Sequence, residues 1–305
     1  MAKILGSGVI PPLVTPINAD ESVNYDHLKN VVDHVIDGGV DAVFINGSTG
    51  EFPRFTFETR TKLVAETVKI AAKRVPVLAG VSDAGLTHVL KNVKEAEKAG
   101  ADALVVTPPY YYPVWNDDEA YSFFIAVAES TSLPVMLYNI PSTCGASISL
   151  DLVERLFPVK NIIGIKDSSG DRARLLDSIK RFKNRDKDFA VVIGAEELSY
   201  DGLKAGADGL VPSMGNPFPK LWSALYRASR DGNDARLKEL CDLVNAMNTG
   251  NKFSDAWLTA LVWRKKAMQH MGICNEYCTR PYVPVDDKAD IGIRKSVETY
   301  RSMFM

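Results

Sequence analysis

Ala99-Gly100-Ala101-Asp102-Ala103-Leu104-Val105 is a glycine stop after a helical pattern, a short loop, and the start of an apolar strand. The same order recurs in Gly38-Gly39-Val40-Asp41-Ala42-Val43-Phe44 and in Ala205-Gly206-Ala207-Asp208-Gly209-Leu210-Val211. A second mark, Val75-Pro76-Val77-Leu78-Ala79 and Leu133-Pro134-Val135-Met136-Leu137-Tyr138, puts proline at the first position of a strand, one of the few places a sheet tolerates it. Both marks are returns from helix to strand. Between them the pattern predicts strands near residues 8–15, 42–47, 76–81, 103–107, 134–140, 162–166, 189–194 and 209–213, each followed by a helix. The apolar runs are continuous rather than alternating, as expected of strands covered on both faces. Eight such units within residues 1–232 predict an α/β fold, a (β/α)8 TIM barrel. A doubly wound open sheet is the competing architecture, but no GxGxxG follows the first strand and no GxxxxGK[ST] occurs.

Beyond residue 232 strand signals stop. Helical patterns near 233–249, 254–271 and 287–303 form a C-terminal three-helix extension, residues 233–305, expected to pack on the barrel or on a neighbouring subunit. The 305 residues are 46% hydrophobic and 24% charged, the balance of a globular protein with ample core. The formal net charge of −2 arises from 36 basic and 38 acidic residues without a basic block, which argues against nucleic acid as a partner. The opening MAKILGSGVIPPLVTP resembles neither a signal peptide nor a membrane helix, so a cytoplasmic location and no membrane partner are expected. Cys144, Cys241, Cys274 and Cys278 form neither a disulfide framework nor a zinc spacing, and no metal is expected. The histidines, His27, His34, His88 and His270, all fall in helical patterns and read as surface or packing residues.

In such a barrel the active site lies at the C-terminal ends of the strands. The polar residues that stop each run are Asn46-Gly-Ser-Thr-Gly-Glu51, Thr107-Pro-Pro-Tyr-Tyr-Tyr112, Tyr138-Asn139, Lys166-Asp167, Gly194-Ala-Glu-Glu197 and Pro212-Ser-Met-Gly215. Lys166 is the only lysine among them. Low-dielectric surroundings disfavour an ammonium and free the amine to attack a carbonyl, whereas a structural role would pair it with Glu197 or Asp167. Tyr138 ends the neighbouring strand, and its phenol could shuttle the proton that imine chemistry requires; its alternative is packing with the hydroxyl bonded. Gly47-Ser48-Thr49-Gly50 could cradle a small carboxylate through N–H and hydroxyl donors, or cap the next helix from Ser48 or Thr49. Tyr110, Tyr111 and Tyr112 read as a lid, a subunit contact or part of a proton relay.

The segments Gly47-Ser-Thr-Gly-Glu51, Pro109-Tyr-Tyr-Tyr-Pro113, Tyr138-Asn-Ile-Pro141 and Gly164-Ile-Lys-Asp167, in that order, resemble the pyruvate-dependent class I aldolases. That family includes N-acetylneuraminate lyase, dihydrodipicolinate synthase and the 2-keto-3-deoxy sugar-acid aldolases, and the resemblance spans essentially the whole chain. It implies a Schiff base between Lys166 and pyruvate or a pyruvate-derived 2-oxo acid, an aldehyde as second partner, and no other cofactor. Tyr138 would move the proton at the reacting centre, and Ser48 and Thr49 would hold the carboxylate. Ser48 would link Tyr138 to a Tyr111 lent across a tight dimer contact. Gly47, Gly194 and the carbonyl of Val211 would line the pocket, and the assembly would be a homotetramer, a dimer of dimers. One departure bears on substrate: dihydrodipicolinate synthases carry an arginine two residues after the proline of the tyrosine motif, where this chain has Thr143. A threonine offers no cationic fork, so the expected activity is that of a 2-keto-3-deoxy sugar-acid aldolase. Dihydrodipicolinate synthase, N-acetylneuraminate lyase, a dehydratase of the family or a non-catalytic keto-acid-binding barrel are the alternatives, and Arg54 is a possible substitute for the missing cation.

Overall fold

The computed structural model describes residues 5, 7–114, 116–183, 185, 188–250 and 259–305. Eight parallel strands, β1 (Gly8–Val9), β2 (Val43–Ile45), β3 (Val77–Gly80), β4 (Ala103–Val106), β5 (Val135–Asn139), β6 (Ile162–Asp167), β7 (Ala190–Ile193) and β8 (Gly209–Leu210), lie in the order β1-β8-β7-β6-β5-β4-β3-β2. The ends of this sheet meet. Asp41 N–H donates to the Val9 carbonyl at 2.9 Å, Phe44 N–H to Pro11 at 3.0 Å and Leu13 N–H to Phe44 at 2.8 Å, and Pro12 bridges Phe44 in parallel. Helices follow the strands on the outside, as in a (β/α)8 barrel.

The first and last strands are far shorter than the apolar runs that announce them. Pro11 and Pro12 have no N–H to give to a ladder, and Pro212 ends β8 for the same reason, so each run continues as irregular chain. Elsewhere the expected strands are trimmed by a residue or two, except at β6, which runs one residue further and includes Asp167.

Side chains alternate along every strand. One set, Val43, Ile45, Leu104, Val106, Val135, Leu137, Ile165, Val191 and Ile193, belongs to the large cluster shared with the helices. The other, Phe44, Leu78, Ala103, Val105, Met136, Tyr138, Ala190 and Val192, fills the barrel. The parity of β6 therefore turns Lys166 inward, since Ile165 beside it packs outward. Beyond the barrel come helices Asp234–Gly250, Thr259–His270 and Asp287–Phe304; of the helix expected over 254–271, residues 254–258 lie outside the described residues. Leu237, Leu240, Val244, Trp263, Ile293 and Tyr300 join the same core as the barrel's outer face. The Phe218 ring, just after β8, lies 5.8 Å from Trp263 and 4.8 Å from Tyr300.

The three-fold repeat of Gly-x-Asp before a strand has a common structural cause. Asp41, Asp102 and Asp208 each donate their own N–H to the carbonyl of Val9, Val77 and Val191 in the adjacent strand, at 2.9 Å in all three cases. Each carboxylate then accepts the N–H of that same valine at 2.8 Å. The aspartate thus closes a ring with one residue of its neighbour and sets the strand register at the start of the ladder. Asp208 is buried and also pairs with Lys183, whereas Asp102 is exposed. Asp208→Ala is expected to lower the unfolding free energy by about 1–3 kcal/mol, the cost of an unsatisfied buried N–H, and Asp102→Ala by less. Urea titration of both variants checks the order.

Candidate functional site

Lys166 and Tyr138 are opposite one another in the β5–β6 ladder, so the barrel register itself brings them together. The lysine is 4% exposed; its Nζ lies 3.8 Å from the centroid of the Tyr138 ring and 5.2 Å from that of Phe44, and the two rings meet edge to face at 6.4 Å. Burial pushes the amine below the usual lysine range, against the opposing pull of the Tyr138 oxygen and of the Glu196 carboxylate. Gly194, at the end of β7, makes room for this side chain. A Cβ there would stand 2.0 Å from Ser168 Oγ, 2.9 Å from Lys166 Cε and 3.0 Å from the Asp167 carbonyl.

The structural ion-pair role for Lys166 does not hold. Asp167 points the other way along the strand: its carboxylate accepts from Arg174 Nε at 2.6 Å, Asn139 Nδ2 at 3.0 Å and Ser169 N–H at 2.9 Å. Glu197 is exposed, and among the described residues Lys166 makes no ion pair within 4.0 Å. The Asp167 network ties the ends of β5 and β6 together, because Asn139 also accepts the Ile148 N–H at 2.9 Å. A charged cluster on the outer side of the strand thus fixes the residue whose neighbour faces the interior.

The loop after β2 resolves the second ambiguity. Ser48–Gly50 is a 3-10 turn, and the following helix, Phe57–Ala71, is capped by Thr56, whose hydroxyl accepts the Thr59 N–H. Neither Ser48 nor Thr49 caps a helix. As the first residues of their turn, both have N–H groups without a partner inside it, and neither donates to another backbone carbonyl among the described residues. Thr15 Oγ1 donates to the Gly50 carbonyl at 2.7 Å. A Cβ at Gly47 would stand 2.8 Å from the Phe44 ring, the same ring that approaches Lys166. Two N–H groups with no backbone partner among the described residues, and two hydroxyls, next to the ring that approaches the buried amine, are what a small carboxylate needs.

Val211 packs in the same interior cluster as Tyr138, with its N–H donated to Ile193 at 2.8 Å. Of the three tyrosines, Tyr110 packs on that cluster and meets the Phe52 ring edge to face at 6.0 Å; burial pushes its phenol up to about 12. Tyr111 is 81% exposed and held at φ 76°, its ring against that of Tyr112. Within one chain it does not join the Lys166 group, and among the described residues no hydrogen bond links Ser48 to Tyr138. Thr143 is exposed on the short helix Pro141–Cys144, its hydroxyl donated to the Ile140 carbonyl at 3.3 Å. Arg54 is committed elsewhere, over the Tyr282 ring at 4.2 Å and to the carbonyls of Thr279 and Arg280, which removes it as a substitute for an arginine at position 143.

Two groups escaped the sequence reading. Glu196, rather than Glu197, is the buried acid behind Lys166: it accepts from Ser213 Oγ at 2.8 Å, Met214 N–H at 2.9 Å, Asn248 Nδ2 at 3.1 Å and Arg264 at 3.3 Å. Burial acts to raise its carboxyl, but Arg264 and the other donors prevail and hold it below the ordinary range. The second is Lys265, fully buried in helix Thr259–His270. A signal existed for Lys265 and for the Arg264 that pairs with Glu196. Arg264, Lys265 and Lys266 are consecutive, and three successive helix positions span about 200° of the circumference, too wide for one solvent face.

Gly194→Ala is expected to slow borohydride-trappable adduct formation at Lys166 by about five- to 150-fold, from overpacking that costs about 1–3 kcal/mol, in a variant that still melts cooperatively. In the wild type the rate of trapping is expected to rise with pH through an inflection below the ordinary lysine value of about 10.4. Glu196→Gln should move that inflection lower still, because the carboxylate that favours the ammonium is gone and Arg264 is left behind. An unchanged or higher inflection in the trapping profile contradicts this assignment.

Among the described residues no group of three or more histidine, cysteine, aspartate or glutamate side chains is placed to hold a metal ion, and no helix is long and apolar enough to cross a membrane. Residues 6–299 match the model of the dihydrodipicolinate synthetase family. The chain is 32% identical over 292 residues to a 4-hydroxy-tetrahydrodipicolinate synthase of Neisseria gonorrhoeae, covering 95% of this chain and 97% of that one. It is 36% identical over 203 residues to the Oceanobacillus iheyensis enzyme of the same name, covering 67% and 68%. A prophage protein of E. coli K12 belonging to the dihydrodipicolinic acid synthase family, solved in complex with pyruvate, superposes with a TM-score of 0.91 at 29% identity, over 97% of this chain and 99% of that one. The Aquifex aeolicus dihydrodipicolinate synthase superposes with a TM-score of 0.89 at 27% identity, over 97% and 98%. The chain belongs to the dihydrodipicolinate synthetase family, carbon–carbon lyases of the class I aldolase type that work through a lysine Schiff base and use no metal.

Proposed function

We propose that the chain condenses pyruvate with an aldehyde, as a synthase of the dihydrodipicolinate type, with Lys166 as the imine-forming residue. The observation that carries this is the register of Lys166 against Tyr138 inside the barrel, with Gly194 clearing the space around the amine. The neutral amine adds to the keto carbon, and the carbinolamine loses water after Tyr138 delivers a proton to its oxygen. The iminium draws electrons from the adjacent methyl carbon, which gives up a proton to form an enamine. That carbon then bonds to the aldehyde carbon, the aldehyde oxygen takes up a proton, and hydrolysis of the new iminium returns Lys166. Ser48 and Thr49 hold the pyruvate carboxylate throughout, with Gly47 and the Val211 carbonyl lining the pocket. Tyr111 would complete the relay from a second copy; its exposure and its strained φ support a role in a cytoplasmic homotetramer built from two tight dimers.

The names of the relatives support aspartate semialdehyde as the aldehyde, rather than the sugar-acid cleavage expected from the sequence. One observation favours the second reading. Thr143 stands where a synthase arginine would grip a carboxylate, Arg54 is committed elsewhere, and the arginine near the pocket, Arg264, is neutralised by Glu196. A neutral, hydroxylated aldehyde suits such a pocket.

Borohydride treatment with pyruvate, followed by peptide mass mapping, is expected to place the adduct on Lys166 and nowhere in Lys166→Ala. Pyruvate consumption should then depend on aspartate semialdehyde. Pyruvate release from 2-keto-3-deoxy acids or N-acetylneuraminate, without condensation of the semialdehyde, would establish cleavage instead, and loss of water without pyruvate release would mark a dehydratase.

A further inference from the structure

Glu51 directly follows the Gly47–Gly50 loop, yet it takes no part in the chemistry proposed above. It is held at φ 58°, a left-handed conformation uncommon for a residue with a side chain, between two 3-10 turns that it both ends and begins. Its side chain is 1% exposed, and among the described residues its hydrogen-bond donors are Lys265 and Thr279. Lys265 Nζ donates to Oε1 at 2.7 Å, and the Thr279 N–H and hydroxyl both donate to Oε2, at 2.8 Å and 2.6 Å. Lys265, itself 0% exposed, spends a further donor on the Tyr277 carbonyl at 2.7 Å. All of these donors come from the C-terminal extension, more than two hundred residues along the chain.

An ion pair taken wholly out of water gains little net stability over an apolar pair of the same shape. What it does offer is geometry, because a carboxylate with three fixed donors tolerates little displacement. We infer that Glu51, Lys265 and Thr279 form a clamp by which the C-terminal extension sets the position of the 47–50 loop, and so the affinity for the carboxylate of the keto acid. On the barrel side the loop is held by Thr15 at the Gly50 carbonyl; on the other side the clamp holds the next residue. Glu51, Lys265 and Thr279 are positioning residues here, and they leave the reactivity of Lys166 unchanged. This inference rests on the loop being the carboxylate site.

The test compares two ketones in the borohydride assay: pyruvate, which carries a carboxylate, and acetone, which does not. The variants are Glu51→Gln, which keeps the shape and removes the charge, and Thr279→Val, which removes one donor and leaves the lysine paired. In both, the half-saturating pyruvate concentration is expected to rise about tenfold or more, the equivalent of one charge-assisted hydrogen bond misplaced, while the acetone trapping rate stays at the wild-type value. Equal losses with both ketones would show general damage to the barrel, and no change with either in a folded variant would show that the clamp sets nothing; each overturns the inference. Should Glu51→Gln fail to fold, Thr279→Val decides. A wild type that traps acetone as readily as pyruvate instead overturns the carboxylate role of the loop itself.

Discussion

Everything at this site depends on a lysine amine being carried into a low-dielectric interior where, among the described residues, no carboxylate forms an ion pair with it and only the more distant Glu196 favours its charge. A buried ammonium without a partner is costly, and the protein lowers that cost by letting the group lose its proton more readily. The same adjustment makes the neutral form of the amine easier to reach inside the barrel. The adjacent Asp167 could have quenched it, but strand parity turns that carboxylate outward to Arg174 and Asn139. One residue of alternation separates a side chain held in an ion pair from one turned into the barrel.

Placement follows from the same alternation. Parallel strands in register put Tyr138 beside Lys166, and Val192, Gly194 and Val211 carry the wall round to β8. Phe44 connects the lysine to the loop after β2, since its ring faces the amine on one side and fills the space a side chain at Gly47 would need on the other. The acid held behind the lysine, Glu196, is charged because Arg264 from the extension keeps it so. Lys265, one residue along, holds Glu51 below the loop. Two neighbouring cations on one helix therefore reach the pocket's surroundings at separate places, and the extension contributes to the barrel's electrostatics as well as to its packing.

Much of the barrel was legible because its grammar is local. A glycine that stops a helix, an aspartate and an apolar run occupy seven consecutive residues, and each part acts on its immediate neighbours. The strand ends were legible for the same reason, and with them Lys166 and Tyr138. Strand lengths were less so. An apolar run marks burial, whereas a ladder needs N–H groups, and the prolines at 11, 12 and 212 separate the two properties. In sequence Ser48 and Thr49 suit a cap and an anion site equally, because both uses ask for the same hydroxyl; Thr56, eight residues on, performs the capping.

What the sequence by itself determined is the order of elements, the barrel and the presence of one lysine among the strand ends, since these are written in periodicity and in single residues out of place. The tertiary structure alone decided which carboxylate each cation meets. Asp167 and Glu197 were the natural partners for Lys166 by nearness, yet the acids that count, Glu196 and Glu51, are paired with Arg264 and Lys265 from a helix 68 and 214 residues further along. Pairing of buried charges is set by distance and desolvation in three dimensions, and neither quantity is a property of a stretch of chain.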